Sequence, residues 1–329
     1  MTSQSGAITD VPGIRVGQVT RRGEGWLTGV TVVVPPPGTV GGVDVRGGGP
    51  GTHETDALDP RTLVPTVDAV VLTGGSAYGL VTAHGVQRWC AEHGRGFRVG
   101  PGELDVVPIV PAAAVFDLGR GGRFSNHPGE ELGYEAAVAA ASPAGTNVQR
   151  GVVGAGTGAL VGRRFKGGVG TASVALDGAE AGVVVAALAV VNAAGLPLPP
   201  GPASAPADGD RPALNTTLVV VATNADLDPA EASRTATTAH DGLARALDPV
   251  HTLSDGDTVF TLATGERALP AERSARVAGL VRVQAAAAEV ARRAVLDGVL
   301  SAETVVAAGV EYPRWPGGAA AQEDPGTTV

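Results

Sequence analysis

Two apolar runs, GVVVAALAVVN ending at Asn192 and LVVVAT over 218–223, contain neither a charge nor a break. Each falls well short of the ~20 residues that a helical bilayer crossing needs, and both are rich in β-branched side chains. They therefore read as strands buried inside a layered α/β fold. Between them lies LPLPPGPASAPADGDRP, residues 196–212, the one clear low-complexity stretch inside the chain. Its Pro, Gly, Ala and Asp content predicts an exposed, extended connection with no core of its own, which is also what a proteolytic processing site looks like.

The rest of the chain fits a sheet-and-helix organisation. GVTVVVPPPG, DVRGGGPGTHETDAL and VDAVVLTGGSAYGL alternate strand-like runs with glycine-rich turns. Helices are predicted over Tyr78–His93, closed by Gly94, over Tyr134–Ala141, over Pro229–Ala246 and over Pro270–Val299. Asp228-Pro229 supplies an N-cap and N1 pair for the third. Strands are expected over Leu218–Thr223 and Asp257–Ala263, and the tail from 313 to 329 is expected to stay outside the packed fold. With 43% hydrophobic residues drawn from Ala, Val and Leu, 3% aromatics and 49 glycines, the layers should pack through small side chains.

Composition also narrows the function. A net charge of −9 with scattered basic residues argues against nucleic acid or an anionic membrane surface as partner. The N-terminus has no basic segment followed by an apolar run, so a soluble cytoplasmic protein is expected. Cys90 is the only cysteine, and the six histidines, at 53, 84, 93, 127, 240 and 251, lack metal-binding spacing. His240 and His251 read as hydrogen-bonding residues at element ends. GVVGAGTGALVGRRFKGGVGTASVAL fails both phosphate-loop patterns: Arg163 and Arg164 follow Gly162, and Lys166 is followed by glycines. GGSAYG around Ser76 does not make a G-x-S-x-G elbow.

What remains is Asn215-Thr216, at the start of the second apolar run, together with Asp255 and Asp257 in LSDGDTVF. A threonine hydroxyl needs a base, and a threonine that begins a chain carries one in its own α-amino group. That amine titrates near neutrality, at about 7.7 to 8.0, and adjacent carboxylates can tune it. In an extended segment the i, i+2 spacing sets Asp255 and Asp257 on one face. Read without other information, Asn215-Thr216 is also a turn into a strand, D-G-D a turn and Asn192 a strand-end cap.

NTTLVVVATNADL, AHDGLARAL, HTLSDGDTVFTLATG, DVRGGGPGTHETDAL, GGSAYGL, PAAAVFDLG, VGAGTGALVG and KGGVGTAS together resemble the DmpA-type aminopeptidases of peptidase family S58, a resemblance that runs from about residue 8 to residue 300. That family includes the β-peptidyl aminopeptidases and the nylon-oligomer hydrolases. The resemblance implies a four-layer α/β/β/α sandwich, shared with the ornithine acetyltransferases, and a precursor that cleaves itself. The cut would fall between Asn215 and Thr216, giving an α chain of 1–215 and a β chain of 216–329. Thr216 would be the nucleophile, Asp255 and Asp257 the acidic pair that tunes its amine, and Asn192 a hydrogen-bond donor to the oxyanion. The implied enzyme uses no metal or other cofactor, acts on small peptides, amino-acid amides or esters, and is a homotetramer.

Two positions depart from the nylon hydrolases: Arg163 stands where they have lysine, and Phe116 where they have tyrosine. Arg163 keeps a charge to position substrate but cannot serve as a base, and Phe116 cannot donate a hydrogen bond, so the tyrosine's part either falls to another group, with Tyr78 a candidate, or is not needed here. The alternatives are an acyltransferase of the ornithine acetyltransferase kind, in which an amine intercepts the acyl-enzyme, and a non-catalytic small-molecule-binding scaffold.

Overall fold

The computed structural model describes residues 6–198 and 214–318. Strands β1 (Arg15–Gly23) and β2 (Trp26–Val34) form an antiparallel hairpin. The chain then contributes β3 (Val40–Val45) to a second sheet and returns through β4 (Thr52–His53), β5 (Val70–Thr73) and β6 (Ala112–Ala114). The first sheet has the order β1-β2-β5-β6-β4. A short hairpin, β7 (Leu160–Val161) and β8 (Phe165–Lys166), leads into β9 (Val169–Ala175) and β10 (Val184–Asn192). A two-residue strand β11 (Leu196–Pro197) follows, then β12 (Thr216–Ala225), β13 (Leu247–Asp248) and β14 (Thr258–Arg267). The second sheet runs β9-β10-β12-β14-β3, with only β12 and β14 parallel.

The helices are α1 (Ser76–Gly79), α2 (Thr82–Glu92), α3 (Glu130–Ala141), α4 (Pro229–Ala244) and α5 (Arg273–Leu300). Side-chain alternation along the central strands sorts the apolar residues into three cores. Ala186, Leu188 and Val190 of β10, with Leu218, Val220 and Ala222 of β12, meet Val33, Val70, Leu72 and Ala113 between the sheets. Their neighbours Val185, Ala187, Val219 and Val221 face Ala236, Leu243, Ala287 and Ala294 of α4 and α5. Val30, Val32 and Val71 face Val86, Trp89 and Ala137 of α2 and α3 on the far side of the first sheet. The protein is thus a four-layer α/β/β/α sandwich, and both apolar runs are strands buried on two faces.

Local chemistry sets the boundaries. Asp228 accepts from Glu231 N at 2.8 Å while the Glu231 carboxylate accepts from Asp228 N at 3.0 Å, a capping box with Pro229 at N1. The helix expected over Tyr78–His93 starts instead at Ser76 and breaks after Gly79, and Gly94 closes it at φ +62°. The helix expected from Tyr134 starts at Glu130.

Two boundaries need larger correction. Leu196 and Pro197, counted with the exposed connection, pair with Leu247-Asp248, and Leu196 is buried; 199–212 lies outside the described residues. Of the tail, Trp315 is buried and packs edge-on against Phe165 with ring centroids 4.8 Å apart. An apolar ring near a chain end can enter the core whatever the polarity of its neighbours. Residues 319–329 lie outside the described part. No helix among the described residues is long and apolar enough to cross a membrane.

The layers approach closely enough for backbone to meet backbone. A Cβ added at Gly170 on β9 would lie 2.1 Å from Gly298 N and 2.2 Å from Ala294 O on α5. Gly170→Ala is therefore expected to destabilise the fold by about 1–3 kcal/mol through overpacking, read as a lower guanidinium midpoint. An unchanged midpoint would mean that α5 moves freely off the sheet.

Candidate active site

The ladder between β10 and β12 sets Asn192 directly opposite Thr216. Both side chains are buried, and by strand alternation both belong to the face between the sheets. On the other side of Thr216, Asn215 pairs with Asp255 and Leu218 with Thr258 in one continuous register, which places Gly256 opposite Thr216. The Asn215 carbonyl oxygen accepts from Gly256 N at 2.8 Å and from the Thr216 hydroxyl. A Cβ on Gly256 would come within 2.8 Å of Thr216 Oγ1, so only glycine leaves the hydroxyl its place.

Asp255 and Asp257 occupy the opposite face. Asp257 is two residues before Val259, which packs against the helices, so both carboxylates lie behind the strand, toward α4. They are buried there. Asp257 Oδ1 accepts from Thr217 N at 2.6 Å, and Oδ2 accepts from the backbone and ring of His251, at 3.1 Å from N and 2.8 Å from Nδ1. Asp255 Oδ2 accepts from Thr252 N at 2.7 Å. Asp257 thus addresses the backbone nitrogen of Thr217 at the head of β12 while Asp255 braces its own loop, and the hydroxyl is on the other side.

His251 in turn stands edge-on to His240, centroids 4.8 Å apart. Burial pushes His240 down to about 4, so its ring is neutral. Since Asp44 O can only accept, the contact at 3.0 Å fixes the His240 proton on Nε2. The glycine-rich turn after β3 ties down the acidic loop from the other side: Gly48 N donates to Thr252 O at 3.1 Å and Gly49 N to Asp255 O at 2.8 Å.

The Asn192 amide is oriented by two donors. Arg120 Nη1, at 2.6 Å, and Leu160 N, at 3.0 Å, both donate to Oδ1. Nδ2 is buried with no partner among the described residues. Nearby, Lys166 is fully buried with its ammonium held by the carbonyls of Gly156, Ala159 and Gly167 at 3.3, 2.5 and 3.0 Å. Burial, and then the neighbouring Arg120 charge, pushes that ammonium well below the usual lysine range.

Arg163 is at the tip of the β7–β8 hairpin at φ +58°, and the adjoining Gly162 N donates to Ala193 O at 3.0 Å, so the turn sits next to Asn192. Tyr78 is 60% exposed on α1 and stacks on His127 with centroids 5.2 Å apart. Phe116 is half-buried just beyond β6. The structure therefore gathers Asn192, Asn215, Thr216, Asp255 and Asp257 in one place and sets Arg163 on an adjoining turn. Tyr78 has its contacts at the surface. Sequence reasoning missed Gly256, Arg120 and Lys166 and read His251 only as a hydrogen-bonding residue, without its partner Asp257. Gly256 was in view inside D-G-D; half-buried Arg120 and fully buried Lys166 are polar groups whose placement only the fold reveals. Among the described residues, no group of three or more His, Cys, Asp or Glu side chains is placed to hold a metal ion.

Comparison with known proteins gives the family. The family model described as peptidase family S58 matches residues 6–311. An uncharacterized aminopeptidase of Mycobacterium bovis is 47% identical over 350 residues, covering 94% of this chain and 98% of its own. A 6-aminohexanoate-oligomer endohydrolase of Paenarthrobacter ureafaciens is 28% identical over 287 residues, covering 79% and 76%. The structure of an L-aminopeptidase D-Ala-esterase/amidase from Ochrobactrum anthropi, described as a variant of the Ntn hydrolase fold, superposes with a TM-score of 0.72 at 22% identity, covering 95% and 91%. The fold is that of the N-terminal-nucleophile hydrolases. The chain belongs to peptidase family S58 and is a hydrolase, an aminopeptidase.

Burial, and then the charge of Asp257, pushes the Asp255 carboxyl above its ordinary range. The folded chain therefore holds this proton more tightly than the unfolded chain. The resulting stability is full below the ordinary carboxylate range and is lost as pH rises through the raised value. Asp255→Asn is expected to raise the melting temperature at pH 7 by about 2 °C while the difference shrinks at pH 4. A lower melting temperature at pH 7 would show that the carboxylate is held by favourable partners instead.

Proposed function

We propose that this protein is a self-processing aminopeptidase whose nucleophile is Thr216. One observation carries the reading: the Asn215 carbonyl rests between the Thr216 hydroxyl and the Gly256 N–H, at the head of a buried strand. Attack by Thr216 Oγ1 on the Asn215 carbonyl carbon forms the C–O bond, and the Gly256 N–H meets the charge that develops on oxygen. The C–N bond breaks and its nitrogen takes the proton, leaving an ester. Water then hydrolyses the ester, freeing Asn215 as a carboxylate and Thr216 as a new N-terminus. The products are an α chain of 1–215 and a β chain of 216–329.

The freed amine is the base for the second reaction. Asp257, already against Thr217 N, and Asp255 beside it lie where they can hold that amine as it takes the hydroxyl proton. Thr216 attacks a substrate carbonyl, the amine returns the proton to the leaving nitrogen, and water releases the acyl group. Asn192 Nδ2, a buried donor across the ladder, suits the substrate oxyanion. Arg163 on the adjoining hairpin and Tyr78 on α1 are assigned to substrate positioning. Small peptides, amino-acid amides and esters are the substrate class, handled without metal or other cofactor by a cytoplasmic homotetramer.

Denaturing electrophoresis with N-terminal sequencing tests the reading. Two fragments are expected, the smaller beginning TTLVVVATNA, with a single band for Thr216→Ala. Wild-type protein that stays whole after prolonged incubation at neutral pH would overturn self-processing. Gly256→Ala is expected to slow appearance of the smaller fragment at least ~10-fold, since its methyl group displaces Thr216 Oγ1. Cleavage at the wild-type rate would remove Gly256 from the argument. Hydrolysis of amino-acid p-nitroanilides, compared with acyl transfer to ornithine, separates a peptidase from an acyltransferase.

A further inference from the structure

A buried amide NH₂ with no partner is costly, and a side-chain amide can usually avoid the cost by turning over. Asn192 cannot. Turning its amide over would set the NH₂ against Arg120 Nη1 at 2.6 Å and Leu160 N at 3.0 Å, donor against donor. The amide is thus locked with its oxygen toward Arg120 and its NH₂ left without a partner opposite Thr216.

We propose that Arg120 is a positioning residue for the Thr216 reaction: it fixes and polarises the Asn192 amide so that Nδ2 is presented as the oxyanion donor. This rests on the assignment of Asn192 made above. Arg120 has what the task requires. Its other Nη1 contact, Gly158 O at 2.6 Å, lies on the same loop that contributes Leu160 N, so guanidinium and backbone converge on one oxygen from a shared support. Tyr312 donates to Arg120 O at 3.3 Å and anchors its backbone from the C-terminal region. Burial pulls Arg120 down only to about 10, so it keeps its charge at neutral pH. A cation on the amide oxygen draws electron density from the nitrogen and strengthens Nδ2–H as a donor. The positive charge reaches the oxyanion through one amide.

The test is a double-mutant cycle on the self-cleaved enzyme, turning over an amino-acid p-nitroanilide, with wild type, Arg120→Met, Arg120→Lys, Asn192→Ala and the pair Arg120→Met with Asn192→Ala. Arg120→Met is expected to lower kcat about 10- to 100-fold with little change in KM, somewhat less than loss of an oxyanion donor itself. Arg120→Lys should recover part of the loss, because it restores the charge without the fork. In the Asn192→Ala background, Arg120→Met should cost nothing further. Additive losses, an unchanged kcat in Arg120→Met, or a loss that tracks a lowered melting temperature and a raised KM would overturn the proposal. So would an Arg120→Met chain that folds but stalls before cleavage, since the Asn215 oxygen is held by Gly256 and not by Asn192. If Asn192→Ala alone leaves kcat intact, the oxyanion assignment itself fails, an outcome distinct from the others.

Discussion

Everything at the site depends on the register between the two central strands. Pairing Asn192 with Thr216 sets an amide beside the hydroxyl on the face between the sheets. The same alternation sends Asp255 and Asp257 to the helix face, where Asp257 meets the Thr217 nitrogen of β12. A slip of one residue would exchange the faces, turning the hydroxyl toward α4 and α5 and moving the amide away from it. The apolar residues on both sides of both strands make such a slip costly, because every valine and leucine would have to repack. The core that stabilises the fold is also what aligns Asn192 with Thr216.

That alignment brings polar groups into buried and half-buried places. Lys166 is surrounded by three carbonyls of the glycine-rich segment, Arg120 bridges a carbonyl and an amide, and Asp117 Oδ1 accepts from Gly75 N at 2.7 Å. Burial pushes the Asp117 carboxyl upward. These contacts explain the glycines of GVVGAGTGALVGRRFKGG better than any anion site does: carbonyls can converge on a cation only where no side chains intervene.

The sequence was most legible where one property recurs. The buried strands, the capped helix at Asp228 and the paired aspartates follow from apolar runs, cap chemistry and spacing. The tail was misread because Trp315 lies among prolines and glycines, and composition there describes the neighbours and not the one ring that packs. Arg120 was invisible because an arginine in DLGRGGR looks like any surface arginine until β6 and the β7–β8 hairpin bring it against Asn192. The histidines were placed as hydrogen-bonding groups, which they are, but the contact of His251 with Asp257 joins a turn to a strand start across a loop and has no sequence period.

The strand order of the second sheet, β9-β10-β12-β14-β3, has a consequence for the life of the molecule. Strands from before Asn215 flank the two from after it on both edges. A break at Asn215–Thr216 would leave one folded body made of two interleaved chains. From then on, unfolding is also dissociation: the pieces must find each other again at a rate set by concentration, and each lacks the strands that cover its apolar faces. The uncut chain can fold and refold as a single molecule, whereas the cut form holds its shape mainly by the height of the barrier to opening. Activation would thereby exchange a reversible fold for a kinetically guarded one.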